Sequence, residues 1–272
     1  MSGRPVKEFE KYLTDGSNCH VSHDEYLKSP ASAFLRHLVE AKDSIELCIN
    51  SFPKKDDGSY SKASKDSLQY LLVATLPAIM GHFETYQRYL FAGIFDLSVH
   101  LRDFNTTTFF KDLEKETSIN LDWNRMAAHR ALGAGSVGAL LADSIGQWHN
   151  PDKVNKYFRC FKLDFDIYST IEKKRIKTLW QLRHSIAHTG GTLTLADAQK
   201  VDSLVGMGNM NIAFEKNFIF EVARKLHPLI KRSTDGLGNN FKNKLVSGLS
   251  TEDTLRIDNF FEVRSSVSVW LR

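Results

Sequence analysis

A chain of 272 residues is long enough to bury a substantial core, and 42% hydrophobic with 25% charged residues is a globular composition, not a disordered or fibrous one. A net charge of +4 permits nucleic acid as a partner without requiring it. The three cysteines, Cys19, Cys48 and Cys160, are widely spaced and form no CxxC pair, which argues against a disulfide framework.

Met1 to Asp15 is polar and carries no apolar signal core. The longest apolar runs, Leu71–Met80 and Tyr89–Phe95, are too short and interrupted to span a bilayer. The expectation is a soluble cytoplasmic protein with no membrane partner.

Apolar residues recur at steps of three and four through most of the chain, and alternating strand-like runs are scarce. Ser29-Pro30 opens a helix to about Ile49, with Phe34, Leu35, Leu38, Val39, Ile45 and Leu47 as its apolar set. Phe52 to Ser61 reads as a loop. A long apolar helix follows from Ser67 to Leu101, kinked or joined at Pro77.

The next expected helix covers Asp122 to Trp148, and Asn150-Pro151-Asp152 starts a short one. Asp166 to His188 is a further helix, ended by Gly190 and Gly191, which accept the left-handed backbone of a C-terminal cap. After a glycine-rich turn at Val205–Asn209, a helix spans Ala213 to Lys231. Ser233–Asn240 then reads as a loop, followed by two short helices. The fold class is all-α.

Gly133-Ala134-Gly135-Ser136-Val137-Gly138 matches the GxGxxG dinucleotide fingerprint by letter. That fingerprint requires a preceding strand, whereas Asn124 to Leu132 has helical spacing. Small residues that let a neighbouring helix approach closely are the better account.

The end of the Asp166–His188 helix carries the chemistry. Arg183 suits a phosphate, and His188 suits proton transfer near neutral pH. Both residue types also occur on solvated helix ends, where a histidine is favoured by the helix dipole. His184 and His188 stand four apart on one helical face, a spacing that can hold zinc. Yet Ser185 stands where an HExxH site has its glutamate, and no obvious third ligand accompanies the pair. No metal and no cofactor are expected. On an ideal helix Arg183 and His188 are separated by roughly 140°. Two copies facing each other across a two-fold axis would place both motifs in one cleft.

Arg183-His184-Ser185-Ile186-Ala187-His188, near the end of a late helix and followed by Thr189-Gly190-Gly191, resembles the Arg-x4-His motif of HEPN domains, particularly the RiboL-PSP-HEPN or MAE_28990-like ribonuclease group. Leu76-Pro77-Ala78-Ile79-Met80-Gly81-His82-Phe83-Glu84 resembles that family's first core helix, and Asn150-Pro151-Asp152-Lys153-Val154 resembles its connecting segment. The likeness covers about Leu71 to Val201. Gly190 departs from the Arg-x4-His-x-Tyr form of the toxins neutralised by AMPylation.

The resemblance implies an up-and-down helical bundle: a HEPN-like core at 66–203, with helical extensions at 1–65 and 204–272. It further implies a metal-independent endoribonuclease, a toxin or phage-defence effector working as a homodimer with a composite site. RNA is then the substrate, and an inhibitor or activating protein is a further possible partner. His188 is the expected general acid or base, Arg183 the phosphate ligand and His184 an assisting group. Glu84 would orient Arg183, unless it simply pairs with Arg88 one turn away. Ser185 is expected to bond the backbone or the substrate, and Lys177 the substrate; Lys173-Lys174-Arg175, with Lys177 nearby, either guides RNA toward the motif or is only a solvated helix face. Trp180 is expected in the core, with stacking on a base as the alternative. The alternative is a non-catalytic HEPN-like dimerisation or interaction module.

Overall fold

The computed structural model describes residues 8, 23–119 and 136–264. It is mostly helical, and the all-α expectation holds. The helices are α1 (His23–Lys28), α2 (Pro30–Ser51), α3 (Lys62–Leu97), α4 (Thr106–Glu116), α5 (Val137–Ser144), α6 (Pro151–Arg159), α7 (Thr170–His188), α8 (Leu195–Ala198), α9 (Phe218–Lys242) and α10 (Thr251–Phe260). Two short strands, β1 (Thr192–Leu193) and β2 (Met210–Asn211), pair antiparallel with Thr192 opposite Asn211.

One core runs from Tyr26 to Phe261, so residues from near both ends of the described chain share it. Helix α3 is its axis. It passes unbroken through Pro77 and buries Leu72, Leu76, Ile79, Met80, Phe83, Tyr86, Leu90, Phe91 and Ile94. Helix α2 contributes Phe34, Leu35, Leu38 and Ile45, whereas Leu47, expected on the same face, is exposed. Around Phe91 the rings of Phe109, Trp148, Phe158 and Phe161 converge, with centroids 5.0–6.2 Å from it.

Close packing explains two glycines. A Cβ on Gly138 would stand 2.0 Å from the Ala92 carbonyl oxygen, so α5 can lie on α3 only with glycine there. A Cβ on Gly93 would run into the Phe260 ring of α10. The Gly138 contact fits the packing account of the glycine-rich segment; Gly133–Gly135, and the expected helix before them, lie outside the described residues.

Several expected boundaries differ. The helix expected to reach Trp148 ends at Ser144. Trp148 lies beyond it, and its indole N–H donates to the carbonyls of Ala142 and Ile145 at 3.2 and 2.9 Å. The buried ring thereby satisfies the last carbonyls and stops the helix. Ser233–Asn240, expected as a loop, is helical and continues α9 to Lys242. Ser233 Oγ donates to the Ile167 carbonyl at 2.7 Å, and Thr234 Oγ1 lies 3.1 Å from the Tyr86 hydroxyl. Gly236 and Gly238 leave room for the rings of Phe165 and Phe261. Tertiary packing overrides poor helix propensity here. Of the two closing short helices, one is seen, α10.

Helix α7 starts at Thr170, four residues later than expected, because Ser169 and Glu172 form a capping box. Glu172 also receives the Arg232 guanidinium of α9. Burial pushes its carboxyl upward, but the hydrogen bonds from Arg232 and Ser169 outweigh this and hold it below its ordinary value of 4.5. A lowered folded pKa contributes stability above the unfolded value and loses it as pH falls through the folded one. Stability measured by denaturant titration should therefore fall more gently below pH 4.5 in Glu172→Gln than in wild type.

Before the box, Asn155 of α6 clamps the Tyr168 backbone. Its Nδ2 donates to the Tyr168 carbonyl and its Oδ1 accepts from the Tyr168 N–H, both at 2.8 Å and both buried. Asn155→Ala strands two buried backbone groups and should cost about 3 kcal/mol, read from the denaturation midpoint.

Candidate active site

The motif lies on the last turns of α7, which ends as its glycines require. Gly190 and Gly191 have φ of 62° and 84°, and the Gly191 and Thr189 N–H groups both donate to the Ser185 carbonyl. The chain then turns into β1.

A cleft of about 590 Å³ opens along this end of α7. Lys177, Trp180, Arg183, His184 and His188 form its α7 wall. Glu84 comes from α3, His149, Asn150 and Pro151 from the start of α6, and Lys200 and Val201 from the segment after α8. His149 is presented by the bend that follows Ser144, where Gln147 takes a left-handed φ of 63°. Asn150 caps α6 with its side chain.

The structure thus brings Arg183, His184, His188, Glu84 and Lys177 together. His184 and His188 are exposed, and their ring centroids stand 4.6 Å apart. Arg183 is half-buried and makes no ion pair or hydrogen bond among the described residues; its Nε is buried without a partner. The other half-buried arginines among the described residues are neutralised, Arg88 by Glu84 and Asp143, and Arg232 by Glu172. A desolvated guanidinium without an acceptor favours an anionic ligand.

Two expected roles change. Ser185 is fully buried, and its Oγ receives the Gln181 amide at 3.3 Å. It faces the core, so a direct substrate contact does not fit its position. Glu84 reaches the cleft, but its Oε1 accepts from Arg88 Nη2 and Nε at 2.6 and 3.0 Å. It has no ion pair with Arg183, and the i,i+4 pairing accounts for it.

Lys177 lines the cleft but is paired with Asp152 at 2.5 Å, and Lys173 meets the same carboxylate at 2.7 Å. Hydrogen bonds from Lys173 and Lys177 lower the Asp152 pKa. This leaves Lys174 and Arg175 as the solvent-facing part of the basic run. Lys200 is held by Asp197 at 2.7 Å, and that bond, with smaller help from Thr194 and His184, lowers the Asp197 pKa.

Sequence reasoning gave His149, Lys200 and Val201 no place in the site. Asn150-Pro151 was a usable signal, because a helix start there places His149 at an element boundary. Among the described residues no group of three histidine, cysteine, aspartate or glutamate side chains is arranged to hold a metal ion, so His184 and His188 have no third ligand there. Cys160 is buried, which raises its thiol pKa to about 11 and keeps it protonated. No helix among the described residues is long and apolar enough to cross a membrane.

Comparisons with protein-family models, with curated proteins and with solved structures find no match to this chain.

Proposed function

We propose that the cleft is the active site of a HEPN-type, metal-independent endoribonuclease. The observation that carries the reading is Arg183, a half-buried guanidinium with no protein acceptor, set beside two exposed imidazoles on the same helix end. In the reaction, the RNA 2′-oxygen forms a bond to the adjacent phosphorus while the bond to the 5′-oxygen breaks. One histidine takes the 2′-hydroxyl proton, and the other gives a proton to the departing 5′-oxygen. Arg183 stabilises the charge that gathers on the non-bridging oxygens. The products are a 2′,3′-cyclic phosphate and a 5′-hydroxyl.

His188 is the principal acid or base and His184 assists it, since the two rings are near enough to serve one phosphate. Arg183 and His188 line one cleft but stand about 140° apart on α7, and the homodimer that the resemblance implies would let two copies complete each site. The resemblance to HEPN ribonucleases adds a cytoplasmic toxin or phage-defence role, with an inhibitor or activating protein as a possible regulator.

The test uses one RNA oligonucleotide and its all-2′-deoxy counterpart, with EDTA present. The RNA should be cut to cyclic-phosphate ends and the DNA left intact. Cleavage of both alike, or 3′-hydroxyl products, would rule out 2′-hydroxyl attack.

A second reading, a non-catalytic interaction module, draws on one specific observation. Leu195, Val205, Met207 and Met210 are all exposed in the segment between β1 and α9. Such apolar exposure is a feature of binding surfaces. On that reading Met210→Asp changes assembly, and Arg183→Ala leaves RNA untouched.

A further inference from the structure

Two N–H donors in the cleft wall are buried without partners, Nε1 of Trp180 and Nε of Arg183. The residues are three apart on α7, about 60° around the helix and one turn along it, so their side chains share a face. Both line the same cleft. Trp180 is only 7% exposed, and its neighbour in the cleft is the His149 ring, edge-on with centroids 6.2 Å apart.

Buried N–H groups nearly always find an acceptor, because leaving one unbonded forfeits its hydration with no return. The contrast with Trp148 is direct: its equally buried indole N–H is satisfied by two carbonyls. Core packing alone would thus explain the ring of Trp180 but not its nitrogen. Two such donors on adjacent turns, one of them cationic, match an oxyanion with more than one acceptor oxygen.

We infer that Trp180 is a phosphate-binding residue of this cleft, its indole N–H and the Arg183 guanidinium donating to oxygens of the same substrate phosphate. The inference rests on reading the cleft as a phosphodiester site. Nε1 is covered in the chain as it stands, so phosphate reaches it only after a side chain packed over the indole moves. Trp180 then contributes to holding substrate and leaves proton transfer to the histidines.

The test is a titration of the full-length, 15N-labelled protein with inorganic phosphate, following the assigned indole N–H of Trp180 and the Nε–H of Arg183 by NMR. Both resonances should move and saturate with one dissociation constant. Trp180→Phe keeps a buried ring but removes the donor, and should weaken phosphate binding about 10-fold. The wild-type titration needs no variant, so a poorly folding Trp180→Phe leaves the test intact. Movement of Arg183 without Trp180 would overturn the inference, as would movement of neither. If both move and RNA remains uncut, the phosphate site stands and the ribonuclease reading fails.

Discussion

Arg183→Ala should lower RNA cleavage about 10³-fold, the scale lost when a preorganised donor to a transition-state oxyanion is removed. The expectation comes from its surroundings more than from its charge. Arg88 and Arg232 are held by carboxylates and contribute to the fold, whereas Arg183 has none, so its removal breaks no ion pair. The melting temperature should therefore change little while activity collapses. Arg183→Lys restores the charge but not the planar fork or the Nε donor, and should recover only a small part of the rate. Single-turnover cleavage rates with a thermal melt of each variant read both quantities. Equal losses of activity and stability would mean that Arg183 is structural.

Phe91→Ala should cost about 4 kcal/mol, near the upper range for truncating a fully buried aromatic ring. Phe91 has no exposed surface and meets four aromatic side chains, from α4, the Trp148 bend, α6 and the turn after it. Those neighbours are fixed by their own packing and cannot collapse fully into the space. For a chain of this size the melting temperature should drop by roughly 10 °C. Because Trp148 directly precedes His149 in the cleft wall, activity should fall somewhat even well below the melting point. A drop of only a degree or two would show that this cluster is not the hinge of the core.

The helical ground plan was legible in the sequence because its signals are local. Gly190 and Gly191 end α7 where left-handed glycines must, and Asn150-Pro151 opens α6 as a cap and first-turn proline should. The late start of α7 was also readable in principle, since Ser169-Thr170-Ile171-Glu172 has capping-box spacing. The Ser233–Asn240 stretch was not. Its helicity depends on Ile167, Tyr86, Phe165 and Phe261, which no local propensity reveals.

The site divides in the same way. The i,i+4 spacing alone brings His184 beside His188, whereas Arg183, about 140° from His188 on an ideal helix, joins them through the shape of the cleft. His149, Glu84 and Lys200 reach them from distant parts of the chain. Whether Glu84 serves Arg183 or Arg88 was undecidable from sequence, because both pairings satisfy the same carboxylate. Ser185 illustrates the opposite limit: it adjoins the motif in sequence yet points into the core, one residue being 100° on an ideal helix. Adjacent residues on a helix rarely share a task.

On the proposed reading, Arg183 and His188 cut RNA. It is tested most directly by incubating total RNA with wild type, Arg183→Ala and His188→Ala, all with EDTA and all shown to be folded. Wild type should cleave, and each variant should lose at least about 10²-fold. Variants that cut as fast as wild type would contradict it.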